Sequence, residues 1–159
     1  MFIKLVDKYE FMEVDMEYNV LKVTDIEKVI PLYIEYYNEQ EDSEWTEETV
    51  YKRIHQVVTR EDSYGLILSD DNSIIGFAMG YFEQYDDGNA YDLVEIVISH
   101  KCQRKGMGTS FMQELEKRVK ELGAFLIQMQ SVNDEKHNNF YGNLGYNDCK
   151  NLILKSKVI

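Results

Sequence analysis

Only one proline, Pro31, and two cysteines, Cys102 and Cys149, occur in 159 residues. The cysteines show no Cys-x-x-Cys spacing, which leaves neither a disulfide framework nor a thiolate metal site in prospect. The three histidines, His55, His100 and His137, lack a third ligand at metal spacing, so no metal is expected. No apolar run approaches the ~18 residues of a membrane span, and the first eight residues already carry Lys4, Asp7 and Lys8. These absences predict a soluble, reduced, cytoplasmic protein with no membrane partner. Repeats, linkers and low-complexity tracts are missing too. One domain over 1–159 is expected, with residues 1–18 as an N-terminal extension of unread structure.

Positive charge is scarce as well. Lys and Arg total 17 against 29 Asp and Glu, a formal charge of −12. Two stretches have no base at all. Residues 35–48 hold Glu35, Glu39, Glu41, Asp42, Glu44, Glu47 and Glu48; residues 83–95 hold Glu83, Asp86, Asp87, Asp92 and Glu95. Without these 12 acids the remaining chain carries 17 acids and 17 bases, so the whole excess lies in two short segments. Nucleic acid is excluded as a partner, because binding it depends on neutralising phosphates with cations.

What is present reads as alternating helix and strand. Residues 18–23 alternate as a first strand. Thr24 and Glu27 have the spacing of a capping box, and Ile26, Val29, Ile30, Tyr33 and Tyr37 follow at helical intervals. Pro31 falls inside that pattern and should bend or restart the helix. A second helix is predicted from Thr46 with the stripe Val50, Ile54, Val57 and Val58. Strands over 64–68 and 73–85 flank the turn cluster Asp70-Asp71-Asn72, and Gly76 and Gly80 suggest a bend or close backbone approach. Residues 91–99 form a strand apolar enough to be central. A helix with Met107, Phe111, Leu115, Val119 and Leu122 on one face stops at Gly123. A buried strand over 124–129, a short helix over 135–144 and further strands within 146–159 complete an α/β order with a mixed sheet.

Between the central strand and the following helix lies Gln103-Arg104-Lys105-Gly106-Met107-Gly108. The first N–H groups of a helix have no internal partner and the dipole adds partial positive charge there, so such a turn can receive a pyrophosphate. It is not a Walker loop, since Gly108 is followed by Thr109 without the lysine. Nor is it a dinucleotide fingerprint, since position 111 is Phe. Gln-x-x-Gly-x-Gly after a strand resembles the acetyl-CoA-binding motif of the GNAT superfamily of N-acetyltransferases. Asn133, followed by Phe140-Tyr141-Gly142-Asn143-Leu144-Gly145-Tyr146, resembles that family's late Asn…Phe-Tyr-x-x-Leu-Gly-Tyr segment. The resemblance covers the chain from about Tyr18 onward. His100 and Gln103 stand where many relatives have Pro and Arg, and Gln103 is expected to act structurally.

The resemblance implies a single-domain GNAT-like fold, a mixed central sheet with helices on both faces, and acetyl-CoA as cosubstrate. Its phosphates would rest on Gln103, Arg104, Lys105, Gly106, Met107, Gly108, Thr109 and Ser110. The central strand would splay at Val97, Ile98 and Ser99 to meet the pantetheine arm, with Asn133 and Asn139 also in contact. Tyr141 would protonate the departing thiolate. Glu95, with Asp92 as the alternative, would take the amine proton; their spacing puts them on opposite faces of a regular strand unless a bulge intervenes. A structural ion pair is the competing reading for Glu95. Glu41, Trp45, Tyr81 and Tyr85 would border the acceptor, a cationic small amine (polyamine or aminoglycoside-like) or basic peptide drawn in by the acidic segments. Tyr33, Tyr36 and Tyr37 stay unsorted between core and cleft. A homodimer is compatible with the family, and the alternative function is a non-catalytic acyl-CoA-binding regulatory module.

Overall fold

The computed structural model describes residues 16–71 and 73–159. Side-chain alternation along β2 (Ser63–Asp70) divides the molecule in two. Ile67 points into a core shared with α1 (Ile26–Gln40) and α2 (Glu47–Val58), while Leu66 and Leu68 point into a second core shared with α3 (Met107–Glu121). β3 (Ser73–Tyr85) and β4 (Gly88–Ile98) repeat the division, with Phe77, Met79 and Val97 on the first side and Ala78, Tyr91 and Leu93 on the second. Both faces of the middle strands are thus covered, as their near-continuous apolar character requires.

β1 (Met16–Val20) through β4 pair antiparallel in chain order, and β5 (Ala124–Met129), reached through α3, adds parallel to β4. α4 (Glu135–Asn143) follows and packs Phe140 and Tyr141 against the α3-side core. This is a mixed five-stranded sheet with helices on both faces.

Several expected boundaries shift for local reasons. Within the described residues the first strand runs from Met16 to Val20, and the Leu21 N–H carries its register one step further, onto the Gly65 carbonyl (2.9 Å). Helix α1 is entered through a 3₁₀ turn at Val23–Asp25 in which the Asp25 carboxylate accepts from the Lys22 N–H at 3.1 Å. This single carboxylate contact replaces the expected Thr24–Glu27 capping box, since a lysine ammonium cannot accept the return bond. Pro31 does not interrupt α1; it and Glu27, whose carbonyl it leaves without a helical donor, are both exposed, so water can satisfy that carbonyl. Thr46 caps α2 as expected, its hydroxyl accepting from the Thr49 N–H at 3.2 Å. Asp71 of the β2–β3 turn has φ 44°, and its neighbour Asn72 lies outside the described residues.

The largest departure is at the C-terminal end. No strand forms after α4: residues 146–159 are irregular apart from a turn at 150–151. Among the described residues β5 therefore has a neighbour on one side only, and instead of being buried it leaves Phe125 58% and Leu126 45% exposed.

Candidate active site

The site begins with a backbone irregularity. Glu95 lies opposite Met79 and Leu93 opposite Gly80, so Val94 is an extra residue in β4. Gly80 permits this, since a Cβ there would stand 2.1 Å from the Asp92 carbonyl and 2.8 Å from the Tyr91 ring. Val94 packs into the α1–α2 core, and the next residue, Glu95, reaches α1 on that same side. The bulge thereby places Asp92 and Glu95 on one face, where an unbroken strand would have opposed them.

Glu95 enters an aromatic enclosure. Tyr33 Oη donates to its Oε2 at 3.3 Å, the Tyr37 hydroxyl donates to Oε1, and Arg53 Nη2 lies 3.7 Å from Oε2. Its side chain is 11% exposed. Burial raises the carboxyl above its ordinary range, against the opposing pull of Tyr37, Arg53 and Tyr33, which favour the anion. Burial, then the neighbouring Glu95 charge, pushes both phenols up and keeps them protonated donors. Tyr33 and Tyr37 are one helical turn apart, so an apolar stripe with two phenols at i and i+4 carried the signal for this enclosure. Arg53, on the inward side of α2, had no sequence signal.

β4 and β5 separate just beside Glu95. Their last pair is Leu93 with Met129; β4 continues to Ile98 with β3 alone on its other side. The opening starts at Val94, earlier than the expected Val97–Ser99, and the Ser99 N–H is already used by the Ile75 carbonyl (2.7 Å). A cleft of about 110 Å³ occupies the gap, walled by Tyr36, Tyr37, Val94, Glu95, His137 and Tyr141. Tyr141 stacks edge-on with Phe140 and Tyr146, and among the described residues its hydroxyl has no hydrogen-bond partner. Burial first, then Tyr36 and Glu95, pushes its phenol up to about 12. The cleft lip is fixed by Asp134, which caps α4 through the His137 N–H (2.8 Å) and holds the His137 ring at 2.7 Å. His137 therefore belongs to the cleft, which its position in a turn-like sequence did not reveal.

The glycine turn opens on the same end of the sheet. Gly106 has φ +76° with open space beside it; among the described residues the first bond of α3 is from the Ser110 N–H to the Gly106 carbonyl (3.0 Å). The backbone N–H groups of residues 104–109 donate to no acceptor among the described residues, the arrangement an anion needs. Arg104 (φ 61°) and Lys105 are exposed at the rim. Gln103 is structural as expected, its Nε2 donating to the Ile98 carbonyl at 3.1 Å. Gly108 serves a different end: a Cβ there would meet the Phe140 ring at 3.3 Å.

The remaining candidates disperse. Asp92 binds Gln128 Nε2 (2.8 Å), which also donates to Tyr85 Oη (2.9 Å), so it stands apart from the cleft walls. Asn133 accepts from Asn138 (3.1 Å) on an exposed lip, and Asn139 is exposed. Trp45 turns inward, edge-on to Tyr33 at 5.3 Å, with its backbone clamped by Asn38. Tyr81 lies beneath the Arg60 guanidinium at 3.4 Å, and Glu41 is exposed at the end of α1.

The site is thus a sheet parted beside a helix terminus whose N–H groups donate to no acceptor among the described residues. Residues 26–146 match the acetyltransferase (GNAT) family, and the chain belongs to that family of acyl-CoA-dependent N-acyltransferases. A curated relative, the uncharacterized protein YxbD of Bacillus subtilis (strain 168), is 32% identical over 87 residues, 54% of this chain and 50% of its own. The chain thus spans about half the length of the curated relative it matches. Among solved structures, a possible acetyltransferase from Clostridium difficile 630 superposes with a TM-score of 0.77 at 14% identity, covering 92% of this chain and 99% of that one. The aminoglycoside N-acetyltransferase AAC(6')-Iy, in complex with CoA, gives 0.67 at 13% identity, with 91% and 95% covered. At such identities these structures share the fold.

Proposed function

We propose that this chain moves an acetyl group from acetyl-CoA to a primary amine of a cationic small molecule or basic peptide by direct attack on the thioester. The observation that carries the reading is that Glu95 and Tyr141, a carboxylate and a phenol, wall one cleft where β4 leaves β5. An amine with a lysine-like pKa of ~10.4 reaches the site as ammonium and must lose a proton to attack. Glu95 accepts that proton, directly or through water, as the nitrogen–carbon bond forms. The carbon–sulfur bond then breaks, Tyr141 gives its proton to the thiolate, and the second proton that the nitrogen sheds on becoming an amide restores the phenol through solvent. The free N–H groups at 104–109 fit the carrier's diphosphate, with Arg104 and Lys105 adding charge. Unpaired backbone of β4 beyond Leu93 fits its amide-bearing arm.

A cationic acceptor is supported by the exposed acids Glu41, Asp42 and Glu44 after α1 and Asp86 and Asp87 at the β3–β4 turn. The aminoglycoside acetyltransferase with the same fold is consistent with it. The deciding assay is thiol release from acetyl-CoA with a panel of amines, repeated with Tyr141→Phe. Turnover of cationic amines, cut ~10²-fold or more by the substitution, is expected. Tight acetyl-CoA binding without turnover of any amine would mark a non-catalytic acyl-CoA-binding module, and no binding at all would overturn the reading.

A further inference from the structure

In the reaction proposed above one nitrogen sheds two protons, and Glu95 takes the first. The second calls for another acceptor, and a wall of the same cleft carries an imidazole. His137 lies in the first turn of α4, four residues before Tyr141. At that spacing the two side chains share a helix face, and both line the cleft.

The ring of His137 is held in one tautomer. Its Nδ1 lies 2.7 Å from Asp134 Oδ1. Hydrogen bonds from the His137 backbone N–H first, then from its ring, hold the Asp134 carboxyl below its ordinary range. An ionised carboxylate only accepts, so the shared proton sits on Nδ1 and a neutral ring keeps its lone pair on Nε2. Among the described residues Nε2 has no hydrogen-bond partner. Helix capping does not explain the ring contact, because the cap is made by the His137 backbone N–H (2.8 Å) and is independent of the side chain. The His137 side chain is 23% exposed and that of Asp134 46%, against 11% for Glu95, so the pair stands at the lip between the enclosed carboxyl and water. Tyr36, on the α1 wall, senses both ends of the cleft: burial first, then Glu41, Glu95 and Asp134, pushes its phenol up.

We propose that His137 is the second base of the transfer, an inference that rests on the acetyl-transfer reading. Glu95 takes one proton from the ammonium, and the freed lone pair forms the nitrogen–carbon bond. As the carbon–sulfur pair leaves with sulfur and Tyr141 protonates it, Nε2 accepts the proton still to be shed by nitrogen, directly or through one water. Asp134 steadies the imidazolium as a positioning residue. The imidazolium then releases its proton to water at the lip, and solvent restores the phenol. Of the two protons lost by nitrogen, one is thus balanced by the thiol and the other leaves from Glu95 to bulk water. All three side chains return to their starting forms.

The test follows the N-acetylated product of a cationic amine. His137→Gln keeps the backbone cap and a neutral donor toward Asp134 but cannot carry a proton. It should lower kcat ~10²-fold or more and leave KM for acetyl-CoA unchanged. In His137→Ala, which opens space at the lip, free imidazole should restore turnover in proportion to its concentration, while wild type ignores it. Asp134→Asn retains a capping acceptor without the charge, and should lower kcat with unchanged far-ultraviolet circular dichroism. Undiminished kcat in His137→Gln, or a loss confined to KM for acetyl-CoA, overturns the inference and leaves acetyl transfer standing. So does a loss in His137→Ala that imidazole does not repair, which would mark a purely structural ring. A wild type that acetylates no amine fails at the earlier reading and takes the inference with it.

Discussion

At the scale of single residues, the proposed chemistry turns on a carboxyl whose surroundings disagree about its proton. Burial favours the neutral form of Glu95, while Tyr37, Arg53 and Tyr33 favour the anion, and burial prevails. The acid limb of kcat/KM should therefore lie above the ordinary glutamate value of ~4.3. Tyr37→Phe removes a donor to the anion, so that limb should move to higher pH; a limb that stays put would remove Tyr37 from the base's environment. Glu95→Gln should abolish the limb and lower kcat/KM by ~10²-fold or more. The same shift has a stability sign. A carboxyl that holds its proton more tightly when folded contributes stability fully below ~4.3, and that contribution is lost as pH rises through the folded value. The stability difference between wild type and Glu95→Gln should accordingly fall between those limits, as followed by urea unfolding across pH.

At the scale of elements, the β4 bulge decides which side chains share a face. Gly80→Ala would drive a Cβ into the Asp92 carbonyl, and overpacking of that kind costs about 1–3 kcal/mol. The expected result is a lower urea midpoint together with weaker catalysis, because closing the bulge turns Glu95 off the face it shares with Asp92. Retained stability would mean that the bulge relaxes freely. The glycine was legible in sequence as a point of close approach, and so were the β3 boundaries, the Thr46 cap and the turn before α3, because each rests on neighbours in the chain. The bulge itself was not legible, since its extra residue is defined by pairing with β3. Arg53 was hidden for a similar reason: it reaches Glu95 from an element 42 positions away in sequence. The strands expected after residue 146 failed differently. Their alternation is real, but a strand is defined by ladder bonds to a neighbour, and among the described residues 146–159 make none.

At the scale of the whole molecule, the formal charge of −12 is concentrated in two segments, of which Glu39, Glu41, Asp42, Glu44, Glu47 and Glu48 in the first and Asp86 and Asp87 in the second stay exposed after folding. Part of the acidity nearest the cleft is offset, by Arg53 at Glu95 and by Arg60 at Glu83 (3.9 Å). The remaining field acts at range, on arrival more than on grip. With a Debye length of ~8 Å at physiological ionic strength, raising salt should lower kcat/KM for polycationic amines and leave neutral amines unaffected. Equal salt dependence for both classes would dismiss the acidic segments as substrate guides.

Gly108 and Phe140 are in contact because position 108 has no side chain, and Phe140 precedes Tyr141. In the proposed reaction the turn that would face phosphate and the helix that would face sulfur are thereby set close to each other like the jaws of a caliper. The span between them is set by the protein before any donor arrives. A thioester stripped of its nucleotide would lack the far anchor, and the deficit should appear in turnover as well as in affinity.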